Sequence, residues 1–275
     1  MTDAGGDLGG LAALALAAFL AGAVNAVAGG GTILTFPVLG AILPPGPARL
    51  VAANATSTIG LWPASMAAAL ASRSSRDGLP TWARWLAVPS AIGGVLGVLL
   101  VLWLPPAWFD GLVPWLILVA AVLFSIQPHV AAWAGGGAPL DPVTANPPVG
   151  RLGMVCGLQL LVGIYGGYFG AGIGILMLAV LAVLGLGDIH RLNAVKNWLA
   201  TVVNGVATLV FAAGSCAGSH EVSWLHAGVI AAAATVGSLG ALQIARKLPA
   251  AVMRRIVAII GFGLAGYYFW RQWRP

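Results

Sequence analysis

The chain has 275 residues, of which 60% are hydrophobic and 7% are charged, and its formal net charge is +6. Soluble domains carry roughly 25% charged residues, so the composition excludes a soluble globular protein and indicates an all-α polytopic membrane protein. The few basic residues lie mostly in short loops, where they set orientation in the bilayer, so the positive charge indicates no nucleic-acid partner.

The first apolar segment, residues 8–43, is long but interrupted. It has no charged side chain, breaks at Gly29-Gly30-Gly31 and ends at Pro44-Pro45-Gly46-Pro47. The piece after the break is about a dozen residues and rises only ~18–20 Å, short of the ~30 Å hydrocarbon core. We interpret the segment as a broken hairpin, either spanning or re-entrant, and its first part as a retained helix rather than a signal peptide.

Three continuous apolar helices are predicted next, at residues 48–71, 82–103 and 108–127. Residues 128–150 are rich in glycine and proline, a composition typical of a linker and unsuited to a helix. The pattern then restarts with a second broken segment at 151–187, interrupted around residues 170–174. Three more helices are predicted at 191–213, 224–245 and 255–270.

The two broken segments are related by an internal repeat at one gapless offset (172 − 30 = 142). Seven residues meet identical partners at this offset: Gly30, Ile33, Leu34, Leu39, Arg49, Leu50 and Ala52. We therefore divide the chain into a first repeat (1–127), a cytoplasmic Pro/Gly-rich linker (128–150) and a second repeat (151–275). Such duplication in an apolar chain is typical of transporters whose site lies between the halves.

The distribution of basic residues predicts that the second repeat is inverted relative to the first. Two loops are basic and are therefore expected on the cytoplasmic side, one with Arg73, Arg76 and Arg84, the other with Arg246, Lys247, Arg254 and Arg255. The loops at 105–110 and 214–221 have no lysine or arginine and are expected outside. Each half then has one hairpin plus three spans, an odd number of crossings. Arg271 and Arg274 fall outside, against the rule.

The glycine breaks are the first candidate substrate site. Non-helical backbone at membrane depth must be satisfied by protein or water, and each break frees a helix N-terminus that favours an anion. The candidate residues are Gly29, Gly30, Gly31 and Thr32 in the first half, and Gly170, Gly172 and Gly174 in the second. The alternative is that these glycines only permit close helix packing, as we expect of Gly93, Gly97, Gly163 and Gly167.

Lys196 is the second candidate, because a lysine inside an apolar helix costs ~2.5–3.5 kcal/mol on insertion. Its repeat partner (196 − 142 = 54) is Asn54, which is also polar within an apolar run. The two side chains are predicted to flank one cavity, where the cation complements an anionic substrate. The alternative is that Lys196 extends to the cytoplasmic interface near Arg191.

Further polar residues surround these positions. Asn25 precedes the first break, Ser57 follows Asn54, and Tyr168 abuts the second break, where its hydroxyl can either donate to a substrate or satisfy a helix end. Asn193, Asn197, Thr201 and Asn204 form one helical stripe, which we expect to face water. For each residue alone, a bond to a neighbouring helix is the competing interpretation.

The sequence predicts neither an enzyme nor a cofactor. Gly29-Gly30-Gly31-Thr32 lacks the lysine and spacing of a phosphate-binding loop, and the glycines at 170–174 follow a helix rather than a strand. The histidines and cysteines show no metal-ligand spacing. Any active transport is therefore secondary or depends on another subunit. The expected partners are a small anion, the lipid bilayer and a proton as candidate coupling ion.

The chain resembles the TauE/SafE sulfite-exporter family, also called TSUP, over nearly its full length. In the first half the matching elements are Ala28-Gly29-Gly30-Gly31-Thr32-Ile33, Pro37-Val38-Leu39 and Ala52-Ala53-Asn54-Ala55-Thr56. In the second half they are Gly166-Gly167-Tyr168-Phe169-Gly170-Ala171-Gly172-Ile173-Gly174 and Asn193-Ala194-Val195-Lys196-Asn197. The linker is longer and richer in proline than the resemblance leads us to expect. The role of Lys196 rests on the charge argument alone.

The resemblance implies a multi-pass protein of the bacterial inner membrane that exports sulfur-containing anions such as sulfite, sulfoacetate or other organosulfonates. Alternating access about a site between the two repeats is the expected mechanism. Two other transport functions remain open, a passive anion channel and a permease for a non-sulfur organic anion. A membrane assembly partner without transport is a further alternative.

Overall fold

A computed structural model describes residues 4–27, 29–72, 79–135, 149–184, 189–244 and 250–273, and its secondary structure there is helical. The first half contains α1 (Ala4–Val27), α2 (Thr32–Ile42), α3 (Arg49–Ser72), α4 (Thr81–Trp103) and α5 (Pro106–Gly135). The second half contains α6 (Val149–Tyr168), α7 (Ile173–Ala182), α8 (Ile189–Cys216), α9 (Trp224–Ile244) and α10 (Ala250–Trp273).

The predicted helices and both breaks are confirmed, with one difference at the linker. Residues 128–150 were expected to be non-helical, but α5 continues to Gly135 and α6 begins at Val149. Pro128 lies inside α5, where a proline removes one backbone hydrogen bond without ending the helix. The buried side chain of Ala134 packs in the second core cluster and holds this last part of α5 against the protein. Residues 136–148 of the predicted linker lie outside the described residues.

The offset of 142 that aligns the sequence motifs also aligns the helices. Subtracting 142 from the bounds of α9 (224–244) gives 82–102, against 81–103 for α4. The same subtraction moves α7 (173–182) to 31–40, against 32–42 for α2. The helix bounds thus follow the offset found in the sequence, whereas the division into two repeats stays a prediction.

The helices have the length and surface of membrane spans. Five described helices are long and apolar enough to cross a bilayer, and α2 and α7 are shorter apolar helices. Large apolar side chains face outward, for example Leu209 at 64% and Ile259 at 70% exposure, which suits a lipid surface rather than water. With 11 residues, α2 rises about 16 Å and cannot span the ~30 Å core.

Contacts between α1 and α2 show that the first broken segment is a hairpin. A Cβ atom added at Gly10 would lie 3.3 Å from Ile42, and one added at Gly31 would meet Ala21. Because early residues of α1 meet late residues of α2, the two helices run antiparallel. This geometry favours the re-entrant form among the two predicted alternatives.

Glycines permit the closest helix packing, as predicted for α4 and α6. A Cβ atom at Gly97 would collide with the carbonyl oxygen of Ile164, and one at Gly167 with that of Gly94. The equivalent pair in the repeat, α1 and α9, packs the same way, since a Cβ atom at Gly22 would collide with the Ala234 carbonyl. Each half therefore places its first helix against the fourth helix of the other half.

The middle helices of the two halves, α3 and α8, run antiparallel at their contact. Gly205 lies against the Trp62 ring, while Thr201, one turn earlier, bonds to Ser65, one turn later. The inversion of the halves across the membrane and the cytoplasmic assignment of the basic loops stay predictions. Arg73, Arg76, Arg246, Lys247 and Arg274 lie outside the described residues.

Candidate functional site

All the predicted site residues lie in the buried interior. They are Asn25, Gly29, Gly30, Gly31, Thr32, Asn54, Ser57, Tyr168, Gly170, Gly172, Gly174, Lys196 and Asn197. Their assignment to substrate binding stays a prediction, whereas their positions relative to one another are given by the structure.

The two glycine breaks, 142 positions apart by the repeat offset (172 − 30 = 142), meet in the interior. We name them the first tip (residues 29–31) and the second tip (residues 170–172). A Cβ atom added at Gly30 would collide with the backbone nitrogen of Gly172, and one at Gly29 would lie 2.6 Å from the Gly174 Cα. Gly29 (φ 74°), Gly30 (φ 107°) and Gly172 (φ 74°) adopt left-handed backbone that favours glycine. Backbone-to-backbone contact at this distance leaves no room for a side chain.

Polar side chains hold the breaks in place. The Asn25 Oδ1 atom accepts the Gly30 N–H at 3.1 Å, across the first break. The Tyr165 hydroxyl donates to the Ala171 carbonyl at 2.6 Å, across the second break. Asn54 Nδ2 donates to the Tyr168 carbonyl, the last residue of α6, at 3.0 Å. Three side chains therefore satisfy backbone groups that a broken helix leaves open.

A helix N-terminus follows each tip. Gly31 is the N-cap of α2 and Gly172 the N-cap of α7, and neither helix has a side-chain hydrogen bond at its cap. Both helix N-termini therefore lie where the tips meet, although the Leu34, Ile173 and Ile175 N–H groups already donate to the Gly31, Gly170 and Gly172 carbonyls. Such helix ends each carry roughly half a positive charge and suit an oxyanion.

Ser65 joins the first break to α8 and was not singled out from the sequence. Its hydroxyl accepts from Asn25 Nδ2 at 2.8 Å and Asn204 Nδ2 at 3.0 Å, and donates to the Leu61 carbonyl at 3.2 Å. This uses the full hydrogen-bonding capacity of a hydroxyl group. A sequence signal existed, because Ser65 follows Asn54 by eleven residues, three turns along one face of α3.

The polar stripe on α8 lies partly against protein, since Asn197 is buried while Asn193, Thr201 and Asn204 are half-buried, and whether it lines a water-filled cavity stays a prediction. Thr201 Oγ1 lies 2.9 Å from the Ser65 carbonyl and 2.8 Å from the Asn197 carbonyl, and its one proton is shared between these two acceptors. Asn197 is buried and Asn204 bonds to the Ser65 hydroxyl. The stripe packs against α3 because its polar groups find partners there, and a sequence pattern cannot distinguish such partners from water.

Lys196 is 1% exposed and is among the largest fully buried side chains. Its amine does not reach the protein surface, so the structure contradicts the alternative of extension to the interface. It lies on α8 five residues before Thr201, about 7.5 Å of helical rise. The neighbouring candidate Ser57 instead bonds to Thr35 at 2.6 Å, which links α3 to α2.

Two polar atoms near the second tip make no hydrogen bond within the described residues. They are Asn54 Oδ1 and the Tyr168 hydroxyl, both buried. Buried polar atoms are rarely left without a partner, so each calls for a physical account. Of the two roles predicted for Tyr168, the one at the helix end is filled by Tyr165, which leaves the Tyr168 hydroxyl able to bind a ligand.

We expect Ser65→Ala to lower the free energy of unfolding by about 1–3 kcal/mol, because it leaves the amide donors of the buried Asn25 and the part-buried Asn204 without their acceptor. Thermal unfolding of the purified protein measures the change. Ser125→Ala is the matched control, since the Ser125 hydroxyl bonds within its own helix, to the Ala121 carbonyl. Equal midpoints for the two variants would show that the Ser65 bonds contribute nothing to stability.

Comparisons with known proteins agree with this architecture. The chain matches the family described as Sulfite exporter TauE/SafE over residues 14–268. It is also similar to a protein of Sinorhizobium sp. named "Probable membrane transporter protein ORF9", with 30% identity over 183 residues. That alignment covers 64% of this chain and 63% of the relative. No solved structure matches the chain. The chain belongs to the TauE/SafE family and is a multi-pass membrane protein.

Proposed function

We propose that this protein is a secondary transporter that exports small sulfur-containing anions, such as sulfite, sulfoacetate or another organosulfonate, across the bacterial inner membrane. The family description supports the substrate class. The observation that carries the proposal is the contact of the two tips, which brings two helix N-termini to one buried place in the membrane.

The charges and donors near the tips suit a tetrahedral or pyramidal oxyanion. The N-termini of α2 and α7 lie at the tips, and Lys196, the repeat partner of Asn54, is a buried cation that we place at the same site. The Tyr168 hydroxyl supplies a further donor that bonds to nothing else among the described residues. Hydrogen bonds to a charged partner are worth about 1.5–3 kcal/mol each, so a few suffice to hold a small anion.

Transport requires the tips to separate, because their backbones touch and leave no room for a substrate between them. In the proposed cycle the two halves rock against each other, and the anion enters between the separated tips. The helix ends then release it toward the other side when the contact reforms. The hydrogen bonds of Asn25 and Tyr165, each within one half, keep each tip folded while the halves move, whereas the bond from Asn54 to the Tyr168 carbonyl joins the two halves and has to break.

Counterflow in proteoliposomes tests the proposal. We expect vesicles loaded with unlabelled sulfite to accumulate labelled sulfite transiently, with saturation and with inhibition by other sulfur oxyanions. Ohmic, non-saturating flux would instead identify a passive anion channel. Counterflow of carboxylates without sulfite would identify a permease for another organic anion, and no flux at all would contradict transport. A change of rate with a pH gradient tests the proton as coupling ion.

A further inference from the structure

Away from the tips, a charged cavity opens where the loop between α2 and α3 meets the start of α5 and the end of α10. Its volume is 320 Å³, and its charged lining residues are Arg49, Asp110 and Arg271. The cavity size is at the lower end of small-molecule sites, which run from ~300 to ~1,000 Å³.

The cavity holds more positive than negative charge. Arg49 and Arg271 both interact electrostatically with Asp110. One oxygen of that carboxylate, Oδ1, is buried and makes no hydrogen bond within the described residues. Each guanidinium has five N–H donors, so a single carboxylate leaves most of the donors of two arginines available. The cavity therefore has one net positive charge and spare donors, which suits an anion.

Arg271 lines this cavity, and this position offers a functional reason for an arginine there. With Arg274, Arg271 is one of the two arginines that the predicted topology places outside, against the positive-inside rule. The adjacent Gln272 donates through Nε2 to the Asp110 carbonyl at 2.8 Å, which fixes the end of α10 against the start of α5. Tyr268, one turn before Arg271 on the same helix face, also lines the cavity.

A second cavity adjoins the first. Its volume is 470 Å³, and it shares Pro45, Gly46 and Arg49 with the first cavity while reaching His220 and Glu221 on its far side. Arg49 therefore lies between the two cavities. Asp110 and Glu221 belong to the two loops predicted to lie outside, so these loops do share one face of the protein.

We propose that the Arg49–Arg271 cavity is a second anion site, at the outer mouth of the protein, where both arginines bind a small oxyanion. The Asp110 carboxylate competes with that anion for the same donors and keeps the site weak, as release of an exported anion requires. This inference deepens the proposed function and rests on it for the role of the site in export.

Binding of radiolabelled sulfate to the purified full-length protein, measured by equilibrium dialysis, tests the site. We expect Asp110→Asn to tighten sulfate binding about tenfold, because it removes the competing charge, and Arg271→Gln to weaken binding about tenfold. Arg271 is exposed at the end of α10, so its replacement leaves the core intact. Arg255→Gln, an exposed arginine elsewhere on α10, is the control and should bind like the wild type.

Weaker binding by Asp110→Asn would overturn the inference, since it would mean that Asp110 only positions the arginines. Unchanged binding by Arg271→Gln, or no sulfate binding by the wild type, would also overturn it. Sulfite counterflow by the same variants tests the proposed transport function separately. If the protein shows sulfite counterflow but its sulfate binding does not depend on Arg271, the proposed transport function is supported and the outer site is not. If sulfate binding depends on Arg271 but sulfite counterflow is absent, the outer site is supported and the proposed transport function is contradicted.

Discussion

Replacing Gly30 with alanine is expected to abolish transport and to lower the free energy of unfolding by at least about 1–3 kcal/mol. A left-handed residue that is not glycine costs that amount by backbone strain alone, and Gly30 has a φ of 107°. In addition, the new Cβ atom would collide with the backbone nitrogen of Gly172. Backbone cannot turn aside as a side chain can, so the tips must move apart. Thermal unfolding and sulfite counterflow measure the two effects.

The glycines of the second tip and of α9 provide graded controls for this variant. A Cβ atom at Gly172 would first meet the Leu123 side chain at 3.3 Å, so Gly172→Ala should be damaging but less so than Gly30→Ala. Gly228 has nothing within 4 Å of its added Cβ atom and lies in the interior of α9. Gly228→Ala should keep transport and gain up to about 1 kcal/mol of helix stability. Wild-type counterflow by Gly30→Ala would show that tip contact is dispensable for transport.

Lys196→Met should reduce the kcat/KM of counterflow at least about tenfold while the protein stays folded. Methionine fills a similar volume but supplies no charge, and a charged hydrogen bond to the substrate is worth about 1.5–3 kcal/mol. The lysine side chain is 1% exposed, so the substitution changes the buried interior and folding has to be measured beside transport. We expect Lys196→Met to keep a cooperative thermal unfolding transition while its counterflow falls.

This combination separates a binding role from a structural one. A structural lysine would lose stability and transport together, whereas a substrate-binding lysine loses transport alone. Arg255→Met is the control, since it removes an exposed positive charge outside the buried region. Full counterflow by Lys196→Met would exclude the amine from substrate binding and leave the helix N-termini as the anion-binding groups.

The proposed central site and the proposed outer site would give the exported anion two positively charged places to bind. Arg49 lines the outer cavity, and its repeat partner (49 + 142 = 191) is Arg191, at the start of α8. If the halves are inverted, these two arginines lie at opposite faces. An exported anion has to leave each site, so transport requires sites of low affinity along the path, because an anion bound too tightly at one site is not released.

The sequence by itself determined the class, the helices and the two breaks. These follow from local signals, namely the length of apolar runs, the glycines that interrupt them and the scarcity of charge. The repeat offset was also visible in the sequence, and the helix boundaries of the two halves align at the same offset. The end of α5 was the exception, because a helix with an internal proline persists only when tertiary packing, here around Ala134, supports it.

Only the tertiary structure decided which polar side chains form hydrogen bonds with one another and which make none among the described residues. Asn54 bonds to the Tyr168 carbonyl, 114 positions away, and Ser65 collects Asn25 and Asn204 from two other helices. It also brought the first tip against the second, and Arg49 and Arg271 into one cavity. A sequence shows that a side chain is polar and lies in an apolar helix. Its partner depends on which distant helix packs there, and that is fixed when the two halves close on each other.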